Sequence, residues 1–237
     1  MPSLRLALAQ IDTWVGDIAG NTERVLDWSL SAAEAGATVV AFPEMTLTGY
    51  PVEDLALRDS FARAAEAAVH DVAAGLVARG LGELVVVVGT LGRTATGRAT
   101  NQAVVLQRGE VVARYDKHHL PNYGVFDEYR IFTPGTGSCV VEVHGRRVGV
   151  VICEDIWQDG GPVSDLDAAQ VELLLVINGS PYEEGKGHIR AELAARRARE
   201  VAAPVAYVNM VGAQDDLVFD GGSFVVGADG TPLAGSP

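Results

Sequence analysis

The chain has 237 residues, of which 48% are hydrophobic and 21% charged, a composition that argues against a disordered or fibrous protein. Its 31 acidic and 18 basic side chains give a formal net charge of −13, which argues against nucleic acid or an anionic membrane surface as a partner because both need clustered Lys and Arg. No apolar run reaches the length of about 18 residues that spans a membrane, and the N-terminus lacks the apolar region of a secretory signal, so we expect a cytoplasmic protein with unpaired cysteines.

Strand and helix patterns alternate along the chain without a repeat or a long linker, so we interpret residues 1–237 as one domain. In chain order, we predict a strand at 4–9, a helix at 21–35 capped by Asn21, a strand at 38–42, a helix at 59–79, strands at 85–88, 101–106 and 111–115, a strand at 147–152 after a hairpin turn at 144–145, a strand at 173–177, a helix at 187–203, a strand at 205–209 and a final strand at 224–226. Hairpins mixed with strand-helix-strand units predict an α/β fold with partly antiparallel sheets, and about ten strands with four helices fit a two-sheet sandwich.

The segment 118–137 connects two predicted strands without clear periodicity. Connections of that length in compact domains are usually functional or mobile. We therefore predict a binding loop there.

Three polar residues stand where apolar strands end, namely Glu44, Lys117 and Cys153. Taken singly, they could be a solvated loop carboxylate, a surface cation and a small buried residue. Together they provide a base, a fixed cation and a nucleophile, which suffice for acyl transfer through a thioester. A free thiol is mostly protonated at neutral pH, so Cys153 needs such neighbours to become reactive. Cys139 lies within an alternating apolar run and is interpreted as a core residue.

The segments around these residues, at 42–44, 115–117 and 152–155, resemble the Glu-Lys-Cys triad of the nitrilase (carbon-nitrogen hydrolase) superfamily, in the same order and with typical separations. More narrowly, the blocks at 117–128, 153–157 and 178–182, the last followed by Gly185-Lys186, resemble the glutaminase domains of glutamine-dependent NAD⁺ synthetases. The resemblance covers essentially the whole chain. It implies the four-layer αββα sandwich of that superfamily.

The resemblance also implies roles for single residues. Cys153 is expected to be the nucleophile, Glu44 the general base and Lys117 the cation that holds the oxyanion. The glutamine-binding positions of the family fall on Tyr123, Ser180 and Lys186. Supporting positions fall on Glu128, as a second glutamate, on Glu154, whose backbone N–H would share the oxyanion hole, and on Trp157. Without the resemblance, Tyr123, Ser180 and Lys186 would be interpreted as a loop aromatic, a turn residue and a surface charge.

The implied reaction is hydrolysis of the side-chain amide of L-glutamine, which needs neither a metal nor a cofactor. In the family, the ammonia passes to a synthetase domain that uses ATP and Mg²⁺ to amidate deamido-NAD⁺. This chain has no Ser-Gly-Gly-x-Asp-Ser loop and no Walker-type phosphate loop, and it ends seven residues after Gly230, so we expect a truncated amidotransferase domain without its synthetase. A homo-oligomer is implied as well.

Two other functions stay open at this point, a stand-alone amidase acting on another small amide and a catalytically silent assembly module. A metal site at His118-His119 is not expected, because adjacent side chains on extended backbone point apart. A set of arginines is interpreted as the solvated face of a helix or as a subunit contact: Arg190, Arg196, Arg197 and Arg199.

Overall fold

The computed structural model describes residues 4–236. Within this range, the α-helices are α1 (Ile18–Glu34), α2 (Asp59–Ala78), α3 (Glu128–Ile131), α4 (Gly161–Ala168) and α5 (Lys186–Glu200). The strands are β1 (Leu6–Leu8), β2 (Val39–Ala41), β3 (Val85–Arg93), β4 (Ala99–Gln107), β5 (Glu110–Asp116), β6 (Cys139–Val143), β7 (Arg146–Ile152), β8 (Leu173–Asn178), β9 (Val205–Asn209), β10 (Val211–Gln214), β11 (Leu217–Asp220), β12 (Phe224–Val226) and β13 (Pro232–Gly235). None of the helices described here combines the length and apolar character needed to cross a membrane.

Two sheets carry most of the strands. The first has the order β1-β2-β3-β4-β5 and the second the order β13-β12-β9-β8-β7-β6, while β10 and β11 form a separate ribbon. In the first sheet, β2 is parallel to β3, and two antiparallel pairings lead from β3 to β5, so β2 and β5 end at the same edge. In the second sheet, β7, β8 and β9 are parallel and also end together. The residues that follow β2 and β5 therefore lie near one another at one edge of the first sheet, and those that follow β7, β8 and β9 lie near one another at one edge of the second.

The apolar residues pack as four layers. Val25 of α1 and Val72 of α2 share a core with Val40 and Val88 on the outer face of the first sheet. A second core joins residues of both sheets to the helix beyond them: Val87, Val105, Val150, Leu175, Ala194 and Ala198. The layers are thus α1 and α2, the first sheet, the second sheet, and α4 with α5. This confirms the predicted αββα sandwich.

Several local predictions are confirmed and one cap is wrong. The strands predicted at 101–106 and 111–115 form a hairpin, as their spacing around Arg108-Gly109 predicts. Its turn has φ values of 54° and 79°, and the predicted turn at His144-Gly145 has 49° and 76°, the left-handed pair that a two-residue hairpin needs. The cap of α1 is Asp17, whose side chain accepts from Gly20 N. Asn21 lies inside the helix, fully buried, and its amide donates to Trp14 O and Leu47 O.

The sequence patterns missed five short elements. These are α3, within the predicted binding loop, α4, the two strands β10 and β11, which form a ribbon, and β13. The predicted strand at 224–226 is confirmed as β12, but it is not the last strand, because β13 follows and pairs with it. Helices of four and eight residues and strands of four residues are too short for periodicity to stand out. The short strands are held by pairing with a neighbouring strand, β10 with β11 and β13 with β12.

Candidate active site

The three strand-end residues converge from both sheets. Glu44 follows β2, Lys117 follows β5 directly, and Cys153 follows β7 directly. All three are buried, with exposed fractions of 1%, 1% and 8%. The structure therefore brings together residues separated by up to 109 positions in the sequence, which is the difference between 153 and 44.

The ammonium of Lys117 lies between two carboxylates. Its Nζ is 2.7 Å from Glu44 Oε1 and 2.9 Å from Glu128 Oε2. Burial alone would lower the pKa of Lys117, but Glu128 and Glu44 raise it well above its ordinary value, so the lysine is charged. Burial raises the pKa of Glu128 to about 7, against the lowering effect of Lys117. One cation thus pairs with two buried acids.

The carboxylate of Glu44 is held from three directions. Oε1 accepts from Lys117 Nζ and, at 2.6 Å, from Asn101 Nδ2. Oε2 accepts from the backbone N–H of Gly179 at 2.8 Å. Each carboxylate oxygen has two lone pairs, so Oε2 keeps one acceptor position for a proton.

The nucleophile candidate occupies a strained turn. Cys153 has a φ of 44°, in the left-handed region that residues other than glycine rarely adopt. Burial and the neighbouring Glu44 carboxylate raise the pKa of the thiol, although Lys117 opposes them. The thiol is therefore protonated at rest.

Beside Cys153 lies a cavity of about 130 Å³. The residues around it include every predicted substrate-binding position: Tyr123, Phe126, Cys153, Glu154, Trp157, Ser180, Glu183, Lys186 and Ile189. The hydroxyl of Tyr123 donates to Glu154 Oε2 at 2.8 Å. Lys186 Nζ lies 3.4 Å from Glu183 Oε2 and is 15% exposed. The rim of the cavity thus carries charges of both signs.

Two site residues escaped sequence reasoning. Asn101 fixes Glu44, and the Tyr50 hydroxyl donates to Glu128 Oε1 at 3.1 Å. A signal existed for Asn101, because an amide side chain at a fully buried position of an apolar strand must find a hydrogen-bond partner. Tyr50 precedes a proline in a loop, and its sequence context carries no such signal.

The prediction of a solvated arginine face is wrong for two of its four members. Arg190 and Arg197 are each 1% exposed, while Arg196 and Arg199 are exposed. Arg190 donates to Ser180 Oγ, to the carbonyl oxygens of Ser180 and Pro181, and to Asp220. A guanidinium has five donors, so it can be buried where carbonyl groups of a turn need partners. Arg190 thus fixes the turn that carries Ser180.

The two adjacent histidines do not point apart as expected. The rings of His118 and His119 meet edge to face, with centroids 4.5 Å apart. Within residues 4–236, no group of three or more His, Cys, Asp or Glu side chains is placed to hold a metal ion.

Both cysteines are free, and Cys139 is buried in the core between the sheets, as predicted.

Residues 5–237 match the sequence profile of a family described as carbon-nitrogen hydrolase. The chain belongs to the carbon-nitrogen hydrolase family. Among the relatives of this carbon-nitrogen hydrolase chain, the glutamine-dependent NAD(+) synthetase of Xanthomonas campestris is 47% identical over 232 residues, covering 97% of this chain. That of Acinetobacter baylyi is 39% identical over 230 residues. The chain spans 41% of the length of each of these two relatives.

Two kinds of solved structure resemble this carbon-nitrogen hydrolase domain, namely glutamine-dependent NAD⁺ synthetases and amidases of the nitrilase superfamily. A glutamine-dependent NAD⁺ synthetase from Acinetobacter baumannii superposes with a TM-score of 0.90 at 38% identity, covering 98% of this chain and 43% of that one. An amidase of the nitrilase superfamily from Nesterenkonia superposes with a TM-score of 0.83 at 29% identity, covering 98% of this chain and 86% of that one.

Proposed function

We propose that this domain hydrolyses the side-chain amide of L-glutamine through a thioester on Cys153 and passes the ammonia to a synthetase domain that forms NAD⁺. The observation that carries the proposal is the convergence of Cys153, Glu44 and Lys117 beside a cavity with a charged rim. The names of the relatives support the biosynthetic context.

The acylation step uses the free acceptor position on Glu44. Cys153 Sγ attacks the amide carbon, and its proton moves to Glu44 Oε2. The tetrahedral intermediate then collapses, the C–N bond breaks, and Glu44 returns the proton to the departing nitrogen, so that ammonia leaves. A positioned general base contributes about 10² to 10⁴ in rate.

The deacylation step repeats the proton transfer with water. Glu44 takes a proton from the attacking water, the C–S bond of the γ-glutamyl thioester breaks, and the proton returns to Cys153. Glutamine and water thus become glutamate and ammonia. The Lys117 ammonium donates to Glu44 Oε1 and to both carboxylate oxygens of Glu128. In both steps its positive charge is proposed to stabilise the developing oxyanion, with the Glu154 backbone N–H as a hydrogen-bond donor.

The cavity rim fits the two charges of a free amino acid. Lys186 is proposed to attract the α-carboxylate, with Tyr123 and Ser180 as further glutamine contacts. The carboxylates of Glu154 and Glu183 would attract the α-ammonium group.

Partners and cofactors follow from the relatives. The proposed acceptor of the ammonia is a synthetase domain, where ATP and Mg²⁺ would act, while the glutaminase reaction needs neither. A homo-oligomer is also proposed. These proposals rest on proteins more than twice the length of this chain.

A stand-alone amidase is the second candidate. A Glu-to-Gln mutant of the amidase from Nesterenkonia carries the acetamide moiety of fluoroacetamide on its active site cysteine, and this chain covers 86% of that structure. Turnover of small neutral amides faster than glutamine would favour that reading. The opposite charges at the cavity rim favour glutamine, because a small neutral amide has no charged groups that could pair with them.

The test is a pair of cysteine variants. Cys153→Ala is expected to abolish glutamine hydrolysis and labelling by a glutamine-analogue diazoketone. Cys139→Ala, at the other free thiol, is expected to keep both. Equal labelling of the two variants would refute the site. The wild-type chain should be assayed with and without an added synthetase domain.

A further inference from the structure

The carboxylate of Asp155 is completely buried two residues after Cys153, and it accepts four hydrogen bonds. Oδ1 accepts from the backbone N–H groups of His118 at 3.1 Å and His119 at 2.8 Å. Oδ2 accepts from the backbone N–H of Ile152 at 3.0 Å and from the hydroxyl of Tyr115 at 2.7 Å. The mechanism proposed above makes no use of this group.

The four donors come from the neighbours of two reacting residues. Tyr115, His118 and His119 surround Lys117 at the end of β5, while Ile152 immediately precedes Cys153 at the end of β7. These strands belong to different sheets, so no ladder of backbone hydrogen bonds joins them. Asp155 therefore ties the segment that carries the cation directly to the segment that carries the thiol.

The bonding of Asp155 argues against a role as acid or base. Two donors on each oxygen use the lone pairs of both, so no acceptor position is left for a proton from substrate. Asp155 also does not line the cavity beside Cys153. Protonation would place a fifth donor among four, so the carboxylate form fits the site even though burial raises the pKa of Asp155.

We propose that Asp155 is a positioning residue that fixes the distance between the Lys117 ammonium and the Cys153 thiol. The proposal rests on the function proposed above for the role of these two groups. Lys117 lowers the pKa of Cys153 against the effect of burial, so this distance governs how easily the thiol loses its proton as well as how well the oxyanion is held. A displacement of about 1 Å at such a site costs about 10²-fold in rate.

The first test is Asp155→Asn, which keeps the shape of the side chain. The NH₂ group of the asparagine would face two hydrogen-bond donors that now point at a carboxylate oxygen. The segment that carries Lys117 and the segment that carries Cys153 should therefore move apart. We expect kcat for glutamine to fall about 10²-fold with KM unchanged, because the cavity rim is not altered. The matched control is Asp229→Asn, since Asp229 also accepts from an N–H and a hydroxyl, both of Thr231, but in an exposed turn. It should keep wild-type kcat.

The second test is the pH dependence of Cys153 alkylation by iodoacetamide, followed by peptide mass mapping, in which the core residue Cys139 should stay unlabelled as long as the protein is folded. In Asp155→Asn, the rise in alkylation should move to higher pH because Lys117 acts on the thiol from further away. Tyr115→Phe removes only one of the four donors and should shift kcat and alkylation in the same direction by less. If Asp155→Asn does not fold, Tyr115→Phe decides alone.

Unchanged kcat and an unchanged alkylation profile in the folded variants would overturn the proposal, as would a rise in KM at constant kcat. The alkylation profile does not depend on the substrate. If the wild-type chain fails to hydrolyse glutamine, the proposed function fails, while the comparison of alkylation profiles still tests the role of Asp155.

Discussion

The backbone N–H of Gly179 donates to Glu44 Oε2 at 2.8 Å, although the two residues are 135 positions apart in the chain. Gly179 follows β8 of the second sheet, and Glu44 follows β2 of the first. A Cβ atom at Gly179 would lie 3.2 Å from the ring of Tyr50 and 3.4 Å from Glu44 Oε2. The proposed base is thus oriented by the sheet that carries the nucleophile, at a position where there is little room for a side chain.

The turn that carries Glu44 also packs against Gly89 of β3. A Cβ atom there would lie 2.3 Å from Met45 N and 2.5 Å from Pro43 O. Gly89→Ala is therefore expected to destabilise the fold by about 1–3 kcal/mol and to reduce glutamine hydrolysis by displacing Glu44. Urea unfolding and the hydrolysis rate measure the two effects. Gly137→Ala is the control, since no atom lies within 4 Å of its Cβ position. Equal stability of both variants would contradict the packing argument.

Lys117 is expected to matter for stability as well as for chemistry. Lys117→Met leaves the buried carboxylates of Glu44 and Glu128 without their cation, which should cost about 3–5 kcal/mol of unfolding free energy. Part of that loss should return in the double variant with Glu128→Gln, which removes one of the two acids. Lys186→Met, at the cavity rim, should unfold like the wild type and raise KM for glutamine. Chemical denaturation distinguishes these cases, and a fully stable Lys117→Met would count against the buried ion pairs.

The carboxyl of Glu128 predicts a pH dependence of stability. Burial raises its pKa from the ordinary 4.5 to about 7, so the folded state holds the proton more tightly than the unfolded state. The stabilisation linked to this proton is complete below pH 4.5 and is lost as the pH rises through about 7. Relative to Glu128→Gln, the wild type should therefore lose stability between these two values. Melting temperatures of the wild type and of Glu128→Gln, measured across this pH range, test whether the wild type loses stability as the pH rises. Parallel curves of melting temperature against pH would show that Glu128 does not titrate in this range.

Arg190 and Arg196 lie on the same helix and offer a matched comparison. Arg190 is buried against the Ser180 turn and bonded to Asp220, whereas Arg196 is half exposed and pairs with Asp159 at the surface. Arg190→Ala should cost about 3–5 kcal/mol because it removes the partner of the buried Pro181 carbonyl oxygen and of the Asp220 carboxylate, although Ser180 O keeps its bond from Asn209. Arg196→Ala should cost less than about 1 kcal/mol. Glutamine KM should rise only in the first variant, and similar losses of stability in both would contradict the assignment.

The sequence by itself determined the layered fold and the places where polar groups leave the sheets. Apolar runs such as 85–88 and the periodic helix at 59–79 carry strong local patterns, so their type could be predicted from the order of residues alone. The same patterns located Glu44, Lys117 and Cys153 at strand ends, because the boundary between an apolar strand and a polar loop is itself a local signal.

Only the tertiary structure decided which polar groups are buried and what they touch. Arg190 and Arg196 look alike in the sequence, Asn21 looks like an ordinary cap residue, and the sequence assigns no hydrogen-bond partners to Asp155. Their positions depend on partners that are distant in the chain, such as Leu47 O for Asn21 and Tyr115 for Asp155. A buried polar group is tolerated only where the fold supplies its hydrogen bonds, and that condition is a property of the packed sheets and not of any local segment.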